Sequence, residues 1–443
     1  MTRSLLSRIS PVLSICLLWA AATPARAQFG ILLTGGGPVN RSFGGTATAA
    51  PLDALGALFW NPATLSGLKQ SEVTFGAEIL TAFPRISSSV QANAFGPGVP
   101  GRAMSGTTNS DSAGALLPNV GLAQRVEDSP LTFGLGLETA GGFATNYPAS
   151  VTNPILTPQP PFGIGFGNLS AELQVYQLIP AVSYQVTGHL ALGVAAIVDF
   201  ATLRLDPLAA VAPDDANGDG FPTFPSGSHT PYEMGGGFQV GAYYTTDSCF
   251  NFGVSVKSPQ WFEKVRVNSV NELGQPRSDR LSLELPMVVS AGISYTGFEH
   301  WLLASDFRYV DYRDASLFGG RGFTPQGAIN GAGFDSIFVV TFGAQYEISE
   351  RLSARVGYDF NTSPQSGAVA FIDAGAPVIL QHTASTGLTW KATDNLLVSL
   401  SYLHSFENSV EGQYQLPQGY VPGTSVKSTV SVDGFAMGVT VRY

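Results

Sequence analysis

The residues able to do chemistry are few and scattered. Five histidines stand at 189, 229, 300, 382 and 404, with no H-E-x-x-H pair and no metal-ligand spacing between them. No G-x-S-x-G elbow presents a nucleophilic serine. A Ser/His pair assembled across strands would escape such a search, so a hydrolytic barrel stays open as a minor alternative to a non-enzyme. Gly35-Gly36-Gly37 is not a phosphate loop, because no lysine follows at the required place and no strand precedes it. One cation motif stands out. Asp215, Asn217 and Asp219, followed by Gly220, have the D-x-N-x-D-G spacing that turns alternate oxygens toward a calcium ion. The bidentate glutamate that would close an EF-hand is replaced by Ser226. A structural calcium site and a plain acidic loop therefore both remain open, and no other cofactor is implied.

The composition explains why chemistry is sparse. The chain has 443 residues, 44% hydrophobic, 11% aromatic and 12% charged. Soluble domains carry about 25% charge. Halving that share while keeping the aromatics argues against both a cytosolic enzyme and a disordered chain. The formal net charge is −10, which disfavours nucleic acid as a partner. Residues 1–27 read as a secretory signal peptide: Arg3 and Arg8, an apolar stretch over 11–22, and the small-x-small site Ala25-Arg26-Ala27. Its removal takes away three arginines and moves the net charge from −10 to −13. Of the 2 cysteines only Cys249 then remains, which excludes an intramolecular disulfide.

No later apolar run approaches the roughly 18 residues of a spanning helix. The apolar residues alternate instead. Leu281, Leu283, Leu285, Met287, Val289, Ala291, Ile293 and Tyr295 form one such series; Leu352, Ala354, Val356, Tyr358 and Phe360 form another. Long period-two segments with small or polar inner residues indicate a transmembrane barrel rather than a soluble sandwich, whose core the small residues would fill badly. Fourteen strands fit, near 71–84, 118–126, 131–142, 172–186, 189–205, 234–246, 249–258, 279–296, 301–312, 335–348, 351–361, 381–391, 395–407 and 429–443. Short turns alternate with long loops, as periplasmic turns and outer loops do in the outer membrane of Gram-negative bacteria. The chain thus divides into a signal peptide (1–27), an N-terminal hatch (28–69) and an all-β, fourteen-stranded antiparallel barrel (70–443). Inward charges such as Glu78, Glu138, Arg125, Arg355 and Asp359 read as a wetted, mutually paired lumen.

Phe29 to Leu68 does not alternate. It is rich in Gly and Ala, with helix-like pieces near Ala47–Ala50 and Asp53–Phe59, and can fill the bore as a plug. This stretch carries a resemblance. Gly37-Pro38-Val39-Asn40-Arg41-Ser42-Phe43-Gly44-Gly45, Ala49-Ala50-Pro51-Leu52-Asp53 and Phe59-Trp60-Asn61-Pro62-Ala63-Thr64-Leu65-Ser66-Gly67-Leu68 are similar to the hatch of the FadL/TodX family of outer-membrane transporters for hydrophobic compounds. Asn61, Pro62 and Ala63 match the family's Asn-Pro-Ala motif. The resemblance implies passive transport of long-chain fatty acids or aromatic and aliphatic hydrocarbons. Outer loops capture the cargo, an inner apolar pocket near the chain's N-terminus receives it, and a gap at a kinked third strand releases it sideways into the membrane.

Candidates for those roles follow. Phe133, Leu135 and Leu137 point outward on the third strand and Gly134 and Gly136 inward; Gly141 and Gly142, before Phe143, permit a kink. Ordinary loop punctuation is the bland alternative. Asn61 either holds the plug near that kink or makes an Asx-type turn before Pro62. Phe221, Phe224, Trp261 and Phe262 form either a capture groove or an interfacial aromatic belt. Phe29 and Ile31 to Leu33 line the inner pocket on the resemblance alone. The expected partners are the hydrophobic cargo, outer-membrane lipid and lipopolysaccharide, and the barrel assembly machinery. The alternation Phe435, Met437, Val439, Val441 and Tyr443 at the C-terminus resembles the strand signal that machinery reads; the bland reading is the last strand closing the barrel, and both can hold. A hydrophilic porin or an adhesin is the competing reading; a porin should lack the plug and an adhesin should invest most residues in loops.

Overall fold

The computed structural model describes residues 29–112, 114–228 and 230–443; the signal peptide lies outside the described residues. The wall is a closed antiparallel sheet of fourteen strands. In chain order they are β1 (Glu72–Ala82, resumed as Arg85–Val90), β2 (Met104–Asn109 and Ala115–Arg125), β3 (Leu131–Tyr147), β4 (Leu169–Gln185), β5 (Leu190–Asp206) and β6 (Glu233–Thr245). Then come β7 (Phe250–Lys257 and Gln260–Phe262), β8 (Glu284–Leu285 and Met287–Tyr295), β9 (Trp301–Asp311) and β10 (Ile337–Ser349). The last four are β11 (Leu352–Asn361), β12 (His382–Lys391), β13 (Leu396–Gly412) and β14 (Thr424–Arg442). A hairpin of Val265–Val270 and Pro276–Leu281 rises above β7 and β8. Each strand pairs with its chain neighbour, and β1 closes on β14 from Glu72↔Arg442 to Ala82↔Val432. Closure leaves no free edge, which a lipid-facing sheet requires.

The alternation has its expected physical cause. Phe75, Ile79, Phe133, Leu135, Leu137, Val254, Phe307, Phe342 and Phe435 are exposed on the outer face. Aromatic pairs gather at the short-turn end: Phe250–Tyr295 at 4.6 Å, Tyr295–Phe298 at 5.0 Å and Trp301–Tyr346 at 4.7 Å between ring centroids. This is the girdle of a membrane barrel. Strands of 17 residues, such as β3, β4 and β5, exceed the nine to eleven or so needed to cross the membrane, so the wall continues into the outer loops.

The hatch fills the bore. Its helices are α1 (Gly37–Ser42) and α2 (Ala54–Trp60), followed by a 3₁₀ turn over Pro62–Gly67. Asp53 caps α2, accepting from Gly56 N at 3.0 Å, as its sequence position suggested. Ala47–Ala50 is not helical. The N–H groups of Ala47 and Thr48 donate to Asp306 at 2.9 and 3.0 Å, and the Ala49 carbonyl accepts from Ser294 Oγ, so the wall takes the bonds a helix would have used.

The lumen at this level is filled rather than wetted. Glu78 pairs with Arg41 of the hatch at 2.8 Å, and Arg125 donates to the Ser66 and Leu68 carbonyls. The small inward residues admit the plug. A Cβ on Gly253 would lie 1.8 Å from the Thr48 carbonyl oxygen, and one on Gly357 2.0 Å from the Gly44 nitrogen.

Candidate functional site

The wall departs from regularity at the third strand. Pairing of β3 with β4 shifts register between Thr139↔Tyr176 and Gly141↔Val175, leaving Ala140 as an extra residue. A bulge of one residue flips the faces beyond it. Below it Gly134, Gly136 and Glu138 face inward; above it Phe143, Thr145 and Tyr147 do. Gly142 has φ 154°, and a Cβ there would lie 2.2 Å from the Leu173 carbonyl oxygen, so glycine is required.

The same irregularity opens a seam. β2 and β3 pair only up to Val120↔Leu137. They meet again where Asp111 N donates to the Asn146 carbonyl at 2.8 Å and Asn146 N to Ser110 Oγ at 2.9 Å. A long contact, Thr139 Oγ1 to the Pro118 carbonyl at 3.5 Å, lies at the foot of the interval. Within it the freed β3 backbone turns to the hatch. Leu33 N donates to the Ala140 carbonyl at 3.0 Å and Gly142 N to the Ile31 carbonyl at 2.8 Å. A Cβ on Gly141 would lie 2.4 Å from that Ile31 oxygen. Tyr312, beyond β9, fixes the other side: its hydroxyl accepts from Ile31 N at 3.0 Å and donates to the Phe29 carbonyl.

Two apolar cavities flank this point. One, of about 120 Å³, lies among the outer loops and is lined by Phe166, Leu203, Leu317, Phe318, Phe334 and Phe371 among others. The other, of about 290 Å³, lies in the β2–β3 seam. It is lined by both Leu117, which faces in, and Leu116, which faces out, so it crosses the wall. Phe143 and Leu173 line both cavities.

Buried charges on other strands latch the hatch to the wall. Asp306 Oδ2 accepts from Ala47 N, Thr48 N and Thr48 Oγ1. It also pairs with Arg308 at 2.5 Å. Arg308 donates to the Gly45 carbonyl at 2.8 Å and lies 3.7 Å over the Trp60 ring. Glu72 accepts from Ala54 N at 2.8 Å and from Arg442 at 3.0 Å.

The residues singled out by sequence fall into four groups. Gly141, Gly142 and Phe143 meet at the seam. Phe29 is fully buried, 6.0 Å from Trp60 in the cluster behind it. Asn61 makes the Asx-type turn, accepting from Ala63 N at 3.1 Å. Its amide donates to the Thr48 carbonyl at 2.7 Å and to the Ala242 carbonyl of β6 at 3.1 Å, so it joins the hatch to the sixth strand and not the third. Pro62 starts the 3₁₀ turn, and Ala63 packs against Ala191 and Tyr243.

The four loop aromatics lie apart from the cavity linings. Trp261 points out of the wall and its neighbour Phe262 packs inward, as alternate strand residues must. Phe221 is exposed, and Phe224 packs at a tilt, 6.3 Å between centroids, against Phe166, which does line the outer cavity.

Asp215, Asn217 and Asp219 form an exposed turn whose side-chain oxygens accept the N–H groups of Asp219, Gly220 and Phe221. Among the described residues no three His, Cys, Asp or Glu side chains converge as a metal site. Sequence reasoning missed Leu173, Leu317, Phe318, Phe334 and Phe371. They come from four distant segments, and nothing in their local pattern marks them.

The whole-chain geometry has relatives. It matches the P. putida toluene transporter TodX with TM-score 0.65 and 17% identity, over 93% of this chain and 99% of that one. A Pseudomonas aeruginosa FadL homologue matches with TM-score 0.69 and 15% identity over the same shares, 93% and 99%. The Ralstonia pickettii toluene transporter TbuX matches with 0.67 and 15%, again over 93% and 99%. No curated protein matches by sequence. Identities this low establish the fold alone. The family model for the outer membrane protein transport protein group (OMPP1/FadL/TodX) covers residues 17–443. With its closed barrel, inner hatch and lipid-facing girdle, the chain belongs to that family of outer-membrane transport proteins.

Proposed function

We propose that this barrel carries hydrophobic compounds passively into the outer membrane: capture in the outer-loop cavity, passage by Phe143 and Leu173, and lateral exit through the β2–β3 seam. The observation that supports this reading most is the sharing of Phe143 and Leu173 by two apolar cavities, one of which crosses the wall. Burying apolar surface is favourable by about 25 cal/mol per Å². A route lined by apolar side chains keeps the cargo out of water, and an exit at membrane depth returns it to hydrocarbon. The hatch, latched by Asp306, Glu78 and Glu72, closes the straight path to the periplasm. Tyr443, last in the alternating β14 pattern, is exposed and suits recognition by the assembly machinery.

The test is uptake of labelled toluene and of a labelled long-chain fatty acid by cells lacking their own such transporters. Wild type should take up at least one, and Phe143→Trp should reduce that uptake severalfold while the barrel still assembles. Entry of small sugars with neither cargo would favour a porin and refute the proposal.

A further inference from the structure

We infer that the outer cavity is built for a neutral hydrophobe carrying one hydrogen-bonding oxygen, such as an alcohol, phenol or ketone, with Asp373 as its polar contact. This rests on the proposed transport reading and narrows its cargo. Among the described residues lining the two cavities there is no Lys, Arg or His, and Asp373 is the one carboxylate. Its side chain is 4% exposed, lines the outer cavity, and leaves Oδ2 without a hydrogen-bond partner. The other polar side chain there, Ser170, already donates to the Thr145 carbonyl at 3.2 Å. A buried polar atom left unpaired is costly, so a cavity that keeps one awaits a partner from its occupant.

The electrostatics select against an anion. Burial pushes the Asp373 carboxyl well above the usual carboxylate range, with Gln365 and Arg321 opposing that shift. The shift favours the protonated carboxyl, a form that can donate to a ligand oxygen as well as accept from a hydroxyl. Arg321 is committed elsewhere: it is 52% exposed and pairs with Asp335 at 2.7 Å. A carboxylate entering the cavity would lose its hydration and meet no cation.

The matched set ethylbenzene, 2-phenylethanol and phenylacetate separates these cases. Binding to the full barrel in lipid nanodiscs at pH 7 is measured by equilibrium dialysis, with empty nanodiscs correcting for lipid uptake. Wild type should bind 2-phenylethanol roughly 3- to 10-fold tighter than ethylbenzene, the range of one net hydrogen bond. Phenylacetate should bind more weakly than both. Asp373→Leu should erase the alcohol preference and leave ethylbenzene within about 2-fold, while Asp373→Asn should keep it. Equal affinity for alcohol and hydrocarbon in the wild type, or tightest binding of phenylacetate, overturns this inference and leaves the transport proposal standing. Binding of none of the three overturns both.

Discussion

Removing the Asp306 carboxylate should release the hatch. Asp306 is 1% exposed and accepts three bonds from Ala47 and Thr48 at 2.9 to 3.0 Å, besides its pair with Arg308. Asp306→Ala strands the Arg308 guanidinium, which is buried, leaving it the Gly45 carbonyl, the Trp60 and Phe29 faces and the more distant Asp359 carboxyl. Breaking a buried pair from one side costs about 3–5 kcal/mol. Losing the bonds to the hatch adds about 1.5–3 kcal/mol for each one not replaced by water. The lower limit alone, about 3 kcal/mol, shifts the docked-to-undocked ratio by roughly two decades. Two assays read this. Hydrogen exchange over residues 45–50 should accelerate about a hundredfold, and planar bilayers should show open-channel events absent from the wild type. The double variant Asp306→Ala/Arg308→Met removes the stranded charge and should recover part of the protection. If the single variant keeps wild-type exchange and stays electrically silent, the hatch is not held by this carboxylate and the latch reading is wrong.

Three further outcomes follow from the seam and the loops. Gly142→Val places a side chain 2.2 Å from the Leu173 carbonyl at a φ of 154°, so the bulge must shift and uptake of the transported cargo should fall at least tenfold in whole cells. Tyr312→Phe removes the acceptor of Ile31 N and the donor to Phe29, costing about 1–3 kcal/mol for the buried N–H left unpaired. Exchange of the Ile31 amide should accelerate while the wall amides do not change. Asp335 is held below the usual carboxylate range by Arg313 and Arg321, so the tether it gives the loop over 312–336 is complete above about pH 4 and is lost as the pH falls below that. Protection of that loop's amides, relative to their intrinsic exchange rates, should fall in acid, and Asp335→Asn should abolish that fall.

How far the sequence could be read depends on how many faces of a segment are packed. Across the membrane one face meets lipid and the other meets the hatch, so the alternation of Leu352 to Phe360 or Phe435 to Tyr443 is visible and those strands lie where the pattern puts them. The single strand expected over 279–296 instead breaks: Leu281, Leu283 and Leu285 are buried in the loop-side core, and only from Met287 on does the segment cross, with Val289 and Ile293 outward. Above the membrane both faces of a strand are covered by loops and the pattern fades. This is why β3 runs on to Tyr147, β4 starts at Leu169 and β14 at Thr424, each beyond its expected limit. The bulge was legible as Gly141-Gly142. Its consequence for Phe143, turned inward by one extra residue, was not, because parity depends on pairing with β4 rather than on the local sequence. The cavity linings were hidden for a related reason. Phe143, Leu173, Phe318 and Phe371 come from separate segments and meet only once the barrel has closed.

The inward charges show how one residue pattern can serve two different interiors. Read along the strands, Glu72, Glu78, Asp306 and Arg308 look like the lining of a water-filled pore. In the fold each one reaches a backbone group or charged side chain of the hatch. A pore lining and a latch differ only in what stands opposite, and here a forty-residue segment rich in glycine and alanine stands there. Glycines in the wall let its backbone approach to contact distance, so Glu72, Asp306 and Arg308 find an N–H or carbonyl of the hatch in place of water, and Glu78 finds Arg41. A hatch held by such bonds fits the proposed route, in which cargo passes beside it. Two of the seam's freed backbone groups, the Ala140 carbonyl and the Gly142 N–H, are satisfied by Leu33 and Ile31 of that same segment. The same docked segment thus fills the bore and binds the freed β3 backbone, which is why the Asp306 variant should disturb both.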